Sequence, residues 1–501
     1  MKIHAEELKT LGSSRNVFLA VFQGEPLEKA AFFARLPKPA RSALIEFIAD
    51  EFKGEDGETK RLWFGQGKIS RIVLFGLGER KHWNERKKFL LPRRMAQYAK
   101  REKIEEFGVP LIDAFGAPNE RGSIFASNAI LAEYEFNRYK ETPKGGWPKI
   151  KQITLTVEKD FLGQTQKGIR EGVCVGEATN RTRDLANTPG GDMTPKRLAE
   201  EAKTIANECG LSVTIFDEKR IKELGMGGIA GVAQGSSEPP RLIIMEYKGG
   251  PADQKPLVLV GKGVTFDTGG LNIKPDQYIY EMHMDMSGGA AVINGIAAIA
   301  RLKIPINAIA IVPAVENMPS GSSYRPGDLL KTMSGKTIEV LNTDAEGRVI
   351  LSDALWYGWK QFSPGLMVDF ATLTGAAHVA VGNYTSAVFA KKKETEDMLR
   401  DVGIVSGDYV WPLPLWDEYL ADIKGTFGDI ANIGKQDRYG GAIHGAKFLE
   451  QFTGDADWAH VDIAPRMTTI ESEYLSKGAS GVGVRFIVEL AKRYTGITNK
   501  E

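Results

Sequence analysis

The sequence predicts an α/β protein in two domains. A smaller N-terminal α/β domain precedes a larger C-terminal α/β/α domain with a mixed, mostly parallel central sheet. Three observations carry this. Short apolar runs alternate with charged, helical stretches along the chain. A polar, Pro- and Gly-rich stretch at 138–148 interrupts that alternation. The length of 501 residues exceeds one ordinary domain.

In the first part, 17–22 and 71–77 read as strands, and 28–52 and 85–103 as helices. After the stretch at 138–148, a linker or long loop, a strand resumes at 151–157, so the first domain is drawn at 1–160. A helix over 165–185 stops at Asn187-Thr188-Pro189-Gly190, which makes 161–187 the connector and 188–501 the second domain. Strand candidates there are 212–216, 242–247, 257–260, 308–312, 366–370, 386–389 and 459–463. Helical patterns at 289–302 and 350–361 fall between them. Such alternation places helices on both faces of a sheet, and ligands then bind beyond the carboxyl ends of strands. No internal repeat or low-complexity segment is evident.

Composition narrows the function classes. Lys plus Arg number 65 and Asp plus Glu 64, so a formal charge of +1 gives no global attraction to nucleic acid or anionic membrane. Cys174 and Cys209 show no CxxC spacing, which argues against a disulfide scaffold or a cysteine zinc site and fits a reducing compartment. Acidic Glu6 and Glu7 fall where a signal peptide would be apolar. The apolar region 290–315 is broken by Arg301, Lys303 and two prolines and is too interrupted to span a membrane. The expected location is cytoplasmic.

Two segments concentrate chemistry. Residues 260–275 begin at the end of an apolar strand and carry Lys262, Asp267 and Lys274 among glycines, which permit tight turns and close ligand approach. Residues 341–348 read Leu-Asn-Thr-Asp-Ala-Glu-Gly-Arg; on an extended segment Asp344 and Glu346 point the same way. Between them lies Asp285, a lone carboxylate before an apolar helix. Any one of these acids alone is more often a turn or cap residue. As a set at strand ends they would repel unless protonated or neutralised by metal. Carboxylate oxygens suit Mn or Mg, with Zn also open, and a pair of such ions can activate water and polarise a carbonyl.

Other signals fail. Gly335-Lys336-Thr337 lacks the P-loop glycine, since Leu330 stands there. Gly225-Met226-Gly227-Gly228-Ile229-Ala230 follows a charged helical stretch and reads as a turn, not a dinucleotide fingerprint. No HExxH occurs, and Gly478-Ala479-Ser480-Gly481-Val482 lacks the last glycine of a serine elbow. His283 and His460 read as packed or hydrogen-bonded histidines, not ligands.

The string Leu341 to Arg348 resembles the signature of the leucyl aminopeptidase family, the M17 cytosol aminopeptidases. The segments around Lys262 and Asp285 resemble it too, as do Asp184-Leu185-Ala186-Asn187-Thr188-Pro189, Ala371-Thr372-Leu373-Thr374-Gly375-Ala376 and Trp458-Ala459-His460-Val461-Asp462-Ile463-Ala464. The resemblance implies a two-metal aminopeptidase with a catalytic second domain. Lys262, Asp267, Asp285 and Glu346 would hold one ion; Asp267, Asp344 and Glu346 would hold the other, with the Asp344 carbonyl adding a ligand. Lys262 would have to be neutral, its pKa depressed by the metal charges. Lys274 would stay cationic and stabilise the oxyanion. Arg348 would hold a bicarbonate as general base. Met282, Asn342, Thr372, Leu373, Gly375, Ala464 and Met467 would contact substrate and favour Leu- or Met-like first residues, and the free α-amine would bind metal. Core packing is the competing reading for Met282 and Met467. Pro465-Arg466 before Met467 departs from the family pattern and leaves fine specificity open. The resemblance further implies peptide substrates and a homohexamer, with the first domain packing the oligomer. Two alternatives stand beside it: a DNA-binding or regulatory role, as in some bacterial relatives but unsupported by charge, and phosphoester hydrolysis.

Overall fold

The computed structural model describes residues 1–9, 14–64, 69–435 and 439–495. Its chain divides into two units, Met1–Glu177 with Ile470–Ser476, and Ala178–Thr469 with Lys477–Glu501. The helix Leu162–Asn187 runs from the first into the second.

In the first unit, β1 (Lys2–Glu7), β2 (Asn16–Val21), β3 (Thr59–Trp63), β4 (Arg71–Gly76), β5 (Glu106–Pro110) and β6 (Gln152–Val157) lie in the order β1-β6-β5-β2-β4-β3. All neighbours pair parallel except β3 with β4. Alternation along β2 fixes the layers. Val17, Leu19 and Val21 join α1 (Lys38–Glu51) in one core, while Phe18, Ala20 and Phe22 join α2 (Glu85–Arg101) and α3 (Pro118–Glu133) in the other.

The expected helix over 28–52 is shorter. Residues Leu27–Lys29 and Phe33–Arg35 form 3-10 turns, and α1 begins only after Pro37, because a proline ring inside a helix clashes with the preceding turn. The edge strands β1 and β3 carry charged residues, as edges do, so they do not read as apolar runs.

The long helix is α4 (Leu162–Asn187), then come α5 (Pro195–Cys209), β7 (Ser212–Phe216), α6 (Glu218–Glu223), α7 (Gly227–Ala233), β8 (Arg241–Lys248), β9 (Leu257–Gly261) and β10 (Gly263–Asp267). Next are α8 (Asp276–Ile279), α9 (Ser287–Arg301), β11 (Asn307–Asn317), β12 (Leu329–Lys331), β13 (Thr337–Glu339) and α10 (Glu346–Phe362). The chain closes with β14 (Leu366–Ala371), α11 (Gly375–Val381), β15 (Ser386–Ala390), α12 (Lys393–Ser406), β16 (Val410–Pro412), β17 (Ile430–Ala431), α13 (Gly441–Glu450), β18 (Trp458–Asp462) and α14 (Val484–Tyr494). The main sheet runs β16-β15-β18-β14-β9-β11-β8-β7, with β10 also on β11. It is mixed and parallel at its centre, where β18, β14, β9 and β11 pair parallel. Helices α7, α10 and α13 pack on one face with Val258, Val260, Ile309 and Ile311. Helix α9 is buried at every position from Ser287 to Ala300, which is why its sequence is apolar all round.

Two readings change here. The segment after Lys262 is a strand, β10, before it becomes a loop. Residues Gly227 to Ala230, read as a turn, start the short helix α7.

Candidate active site

The site forms where the central strands end. Lys262 sits at the break between β9 and β10, with its N–H donating to the Phe370 carbonyl at 3.0 Å and its carbonyl accepting from Gly289 at 2.7 Å. That break frees its side chain from the strand alternation. The ammonium group lies 2.7 Å from Asp285 Oδ2 and 2.8 Å from Glu346 Oε1, and it donates to the Thr372 carbonyl at 3.0 Å. Glu346 is the first residue of α10, where the helix N-terminus favours a carboxylate. Gly347 is required beside it: a Cβ there would stand 2.6 Å from Lys262 Cε.

Asp267 ends β10. Its Oδ1 accepts from Gly269 N–H at 2.9 Å and from Asn317 Nδ2 at 2.8 Å, and its Oδ2 lies 2.9 Å from Lys274 Nζ. Gly269, at φ 88°, turns the chain so that Lys274 returns to the site, with its N–H donating to the Thr268 carbonyl at 2.9 Å. Lys274 Nζ also pairs closely with Asp344 Oδ1. Asp267, Asp344 and Glu346 offer oxygens all within 4.8 Å of one another. Asp344 and Glu346 are not on an extended segment, as the sequence suggested. The turn at 341–345 and the start of α10 bring them together.

Burial of these charges shapes their protonation. Burial opposes the charge on Lys262, but Asp285, Glu346 and Asp267 outweigh it and hold the ammonium above the ordinary lysine range. Lys274 is held above that range in the same way, mainly by Asp267 and Glu346. Burial pushes Asp285 up to about 8, against the pull of Lys262, and burial together with Asp267 pushes Asp344 up to about 7. Each side chain bears on its neighbours, as expected when carboxylates crowd.

The remaining candidate residues fall in three places. Thr372 donates to Asp285 Oδ1 at 2.6 Å and so touches the acidic cluster. Leu373 and Ala464 donate backbone N–H groups to one oxygen of Asp462, both at 3.1 Å, while Thr374 Oγ1 donates to the other at 2.7 Å. Gly375 opens α11, with nothing within 4 Å of where a Cβ would stand. Asn342 is engaged locally: its Oδ1 accepts from Asp344 N–H at 2.8 Å and its carbonyl from Asn432 Nδ2 at 2.6 Å. Met282 and Met467 are half-buried. Arg348, two residues past Glu346, points about 200° round the helix from it. Its Nη2 lies 3.5 Å from the place of a Cβ on Gly445, a place also bordered by Leu373 and Thr374.

Sequence reasoning missed three supports. Asn317, at the end of β11, bridges Asp267 and the Thr343 carbonyl, and Tyr324 donates to that carbonyl at 2.6 Å. Neither has a local sequence signal. Asp462 lay within a segment singled out, but only Ala464 was chosen from it. His460 is hydrogen-bonded: its Nδ1 lies 2.6 Å from Asp369 Oδ1, and Trp458 Nε1 donates to the other oxygen at 2.8 Å.

The donor set fits divalent ions. It is rich in carboxylate oxygen, and Asp285 Oδ2 and Glu346 Oε1 are buried without a well-directed hydrogen bond. Residues 180–488 match the catalytic domain of the cytosol aminopeptidase family, and 18–143 match that family's N-terminal domain. The chain belongs to the cytosol aminopeptidase family. A probable cytosol aminopeptidase of Syntrophotalea carbinolica is 40% identical over 451 residues, 88% of this chain and 90% of that one. One from Rickettsia massiliae is 38% identical over 491 residues, 96% of this chain and 98% of its own. Among solved structures, the bottromycin maturation enzyme BotP in complex with Mn superposes with a TM-score of 0.83 at 28% identity, covering 96% of this chain and 99% of BotP. Membership in the cytosol aminopeptidase family makes this chain an aminopeptidase. No helix among the described residues is long and apolar enough to cross a membrane.

Proposed function

We propose that this aminopeptidase removes Leu- or Met-like N-terminal residues from peptides at a centre of two divalent ions held by Lys262, Asp267, Asp285, Asp344 and Glu346. The observation that carries this is the crowding, among the described residues, of four carboxylates around two lysines. Bound divalent ions, Mn or Zn with Mg open, would supply an activated water, polarise the scissile carbonyl and take the substrate amine. For Lys262 to act as a ligand it must surrender the proton that the bare carboxylates hold on it.

The chain's own residues do the rest. Thr372 orients Asp285 through its hydroxyl, and Asn317 fixes Asp267. Lys274 keeps its charge and stabilises the oxyanion. Arg348 would hold bicarbonate, which would supply the general base. Met282, Asn342, Thr372, Leu373, Gly375, Ala464 and Met467 form the substrate contacts. The same reading gives a cytoplasmic homohexamer, packed through residues 1–160, with 161–187 as connector and 188–501 catalytic. Dialysis against chelator should abolish leucine-amide hydrolysis and Mn should restore it; turnover that persists in chelator sinks the reading. Light scattering showing a monomer would remove the hexamer. The balanced charge gives a DNA-binding role no support.

A further inference from the structure

The first unit holds a cavity of about 600 Å³ that the hydrolytic chemistry does not use. Its position has a topological reason. From β2 the chain moves outward to β4, returns across β2 to β5, and then moves the other way to β6. The direction of winding therefore reverses between β2 and β5. The cavity opens there, at the carboxyl ends of β2, β5 and β6. In open parallel sheets this is the place where ligands bind, because the connecting segments part. The volume is that of a small-molecule pocket.

A second, independent observation lies in its wall. Thr156, 3% exposed, lines the cavity, and its Oγ1 is buried with no hydrogen-bond partner. A buried hydroxyl left unsatisfied costs about 1–3 kcal/mol, and a ligand that draws it toward the cavity would recover that cost.

The charges select the ligand. Lys29, Arg80 and Arg121 line the cavity together with Glu25, Asp113 and Glu158. Arg80 is already engaged, bonded to both oxygens of Glu25 at 2.6 and 2.9 Å. Arg121 is half-buried, its Nε donates to the Gly116 carbonyl at 2.5 Å, and its guanidinium stands 5.8 Å from the Phe161 ring. Among the described residues no carboxylate lies within ion-pair distance of it. A polyphosphate would meet as many acids as bases. A zwitterion satisfies both signs. The rest of the wall is largely apolar, with Val21, Phe22, Leu27, Phe32, Leu111 and Val157 in it.

We infer that this cavity binds an apolar α-amino acid, free or at the end of a short peptide, with its carboxylate on Arg121 and its ammonium toward Glu158. The inference does not rest on the metal-centre reading. Equilibrium dialysis of the full chain carrying Asp344→Ala, in chelator, with labelled leucine and with leucyl-leucine, tests it. At least one probe should bind saturably at one site per chain; the tighter probe identifies the source. Its analogue without a carboxylate, isopentylamine, should not compete. Thr156→Val should weaken binding about three- to tenfold. The same substitution should leave the ligand-free melting temperature equal or higher, whereas a hydroxyl with a merely structural role would lower it. Arg121→Gln should weaken binding further. No saturable binding of either probe, or binding unchanged in both variants, overturns the inference.

Discussion

Two groups of buried charge, one within the main sheet and one where its central strands end, are built on opposite terms. Asp369 and His460 are both fully buried and meet one to one, with Trp458 completing the carboxylate's bonding. At the strand ends, among the described residues, Asp267, Asp285, Asp344 and Glu346 pair with Lys262 and Lys274. A balanced pair calls for no further charge and serves the fold. A surplus of carboxylate, buried and partly forced toward the neutral acid, remains poised for a cation. The difference between structure and chemistry here is one of stoichiometry, not of burial.

The sharpest way to break this contrast is to remove surplus charge. Asp344→Ala should lower kcat for leucine amide by at least about a thousandfold. Its ligand-free melting temperature should hold or rise, because like-charge repulsion is relieved; a clear fall would mean that Asp344 serves the fold. Next, Lys262→Met should destabilise the metal-free protein by about 3–5 kcal/mol in urea, since it strands Asp285 and Glu346. Of comparable or smaller size, Asp369→Asn should cost about 3 kcal/mol by breaking the balanced pair, with turnover per folded molecule preserved. Lost turnover in that variant would join the two groups into one.

The smallest effect concerns pH. Burial works against the charge on His460, but Asp369 outweighs it and raises its pKa above the ordinary value. The stabilisation from that proton is therefore complete below about pH 6.5, the unfolded value, and is lost as pH rises through the higher folded value. Urea midpoints from pH 6 to 9 should fall more for the native chain than for His460→Gln. Parallel profiles would show that the pair does not titrate in this way.

Much of this was legible in the sequence, for physical reasons. The central strands of the second unit are buried on both faces and read as continuous apolar runs, so β9 and β14 were located to within one residue. The acids and lysines of the candidate site drew notice as a set gathered at strand ends, where any one alone reads as a turn or cap residue, but their peptidase meaning came from family resemblance. What stayed hidden depends on distant residues. β1 and β3 owe their pairing to neighbours and not to their own polar composition. Asn317 lies 50 residues from Asp267, and Tyr324 reaches a carbonyl 19 residues away, so no local pattern could show either. The proximity of Asp344 and Glu346 was foreseen through strand alternation, yet a turn and a helix start produce it.

One carboxylate has a reach beyond its own bonds. Asp462 holds the backbone at Leu373 and at Ala464 with a single oxygen. Two loops pinned at one atom cannot drift apart in evolution or be remodelled separately by design. If these loops line the proposed substrate pocket, new preferences for the first residue would come from exchanging side chains along a fixed outline, and insertions in either loop would deform both together.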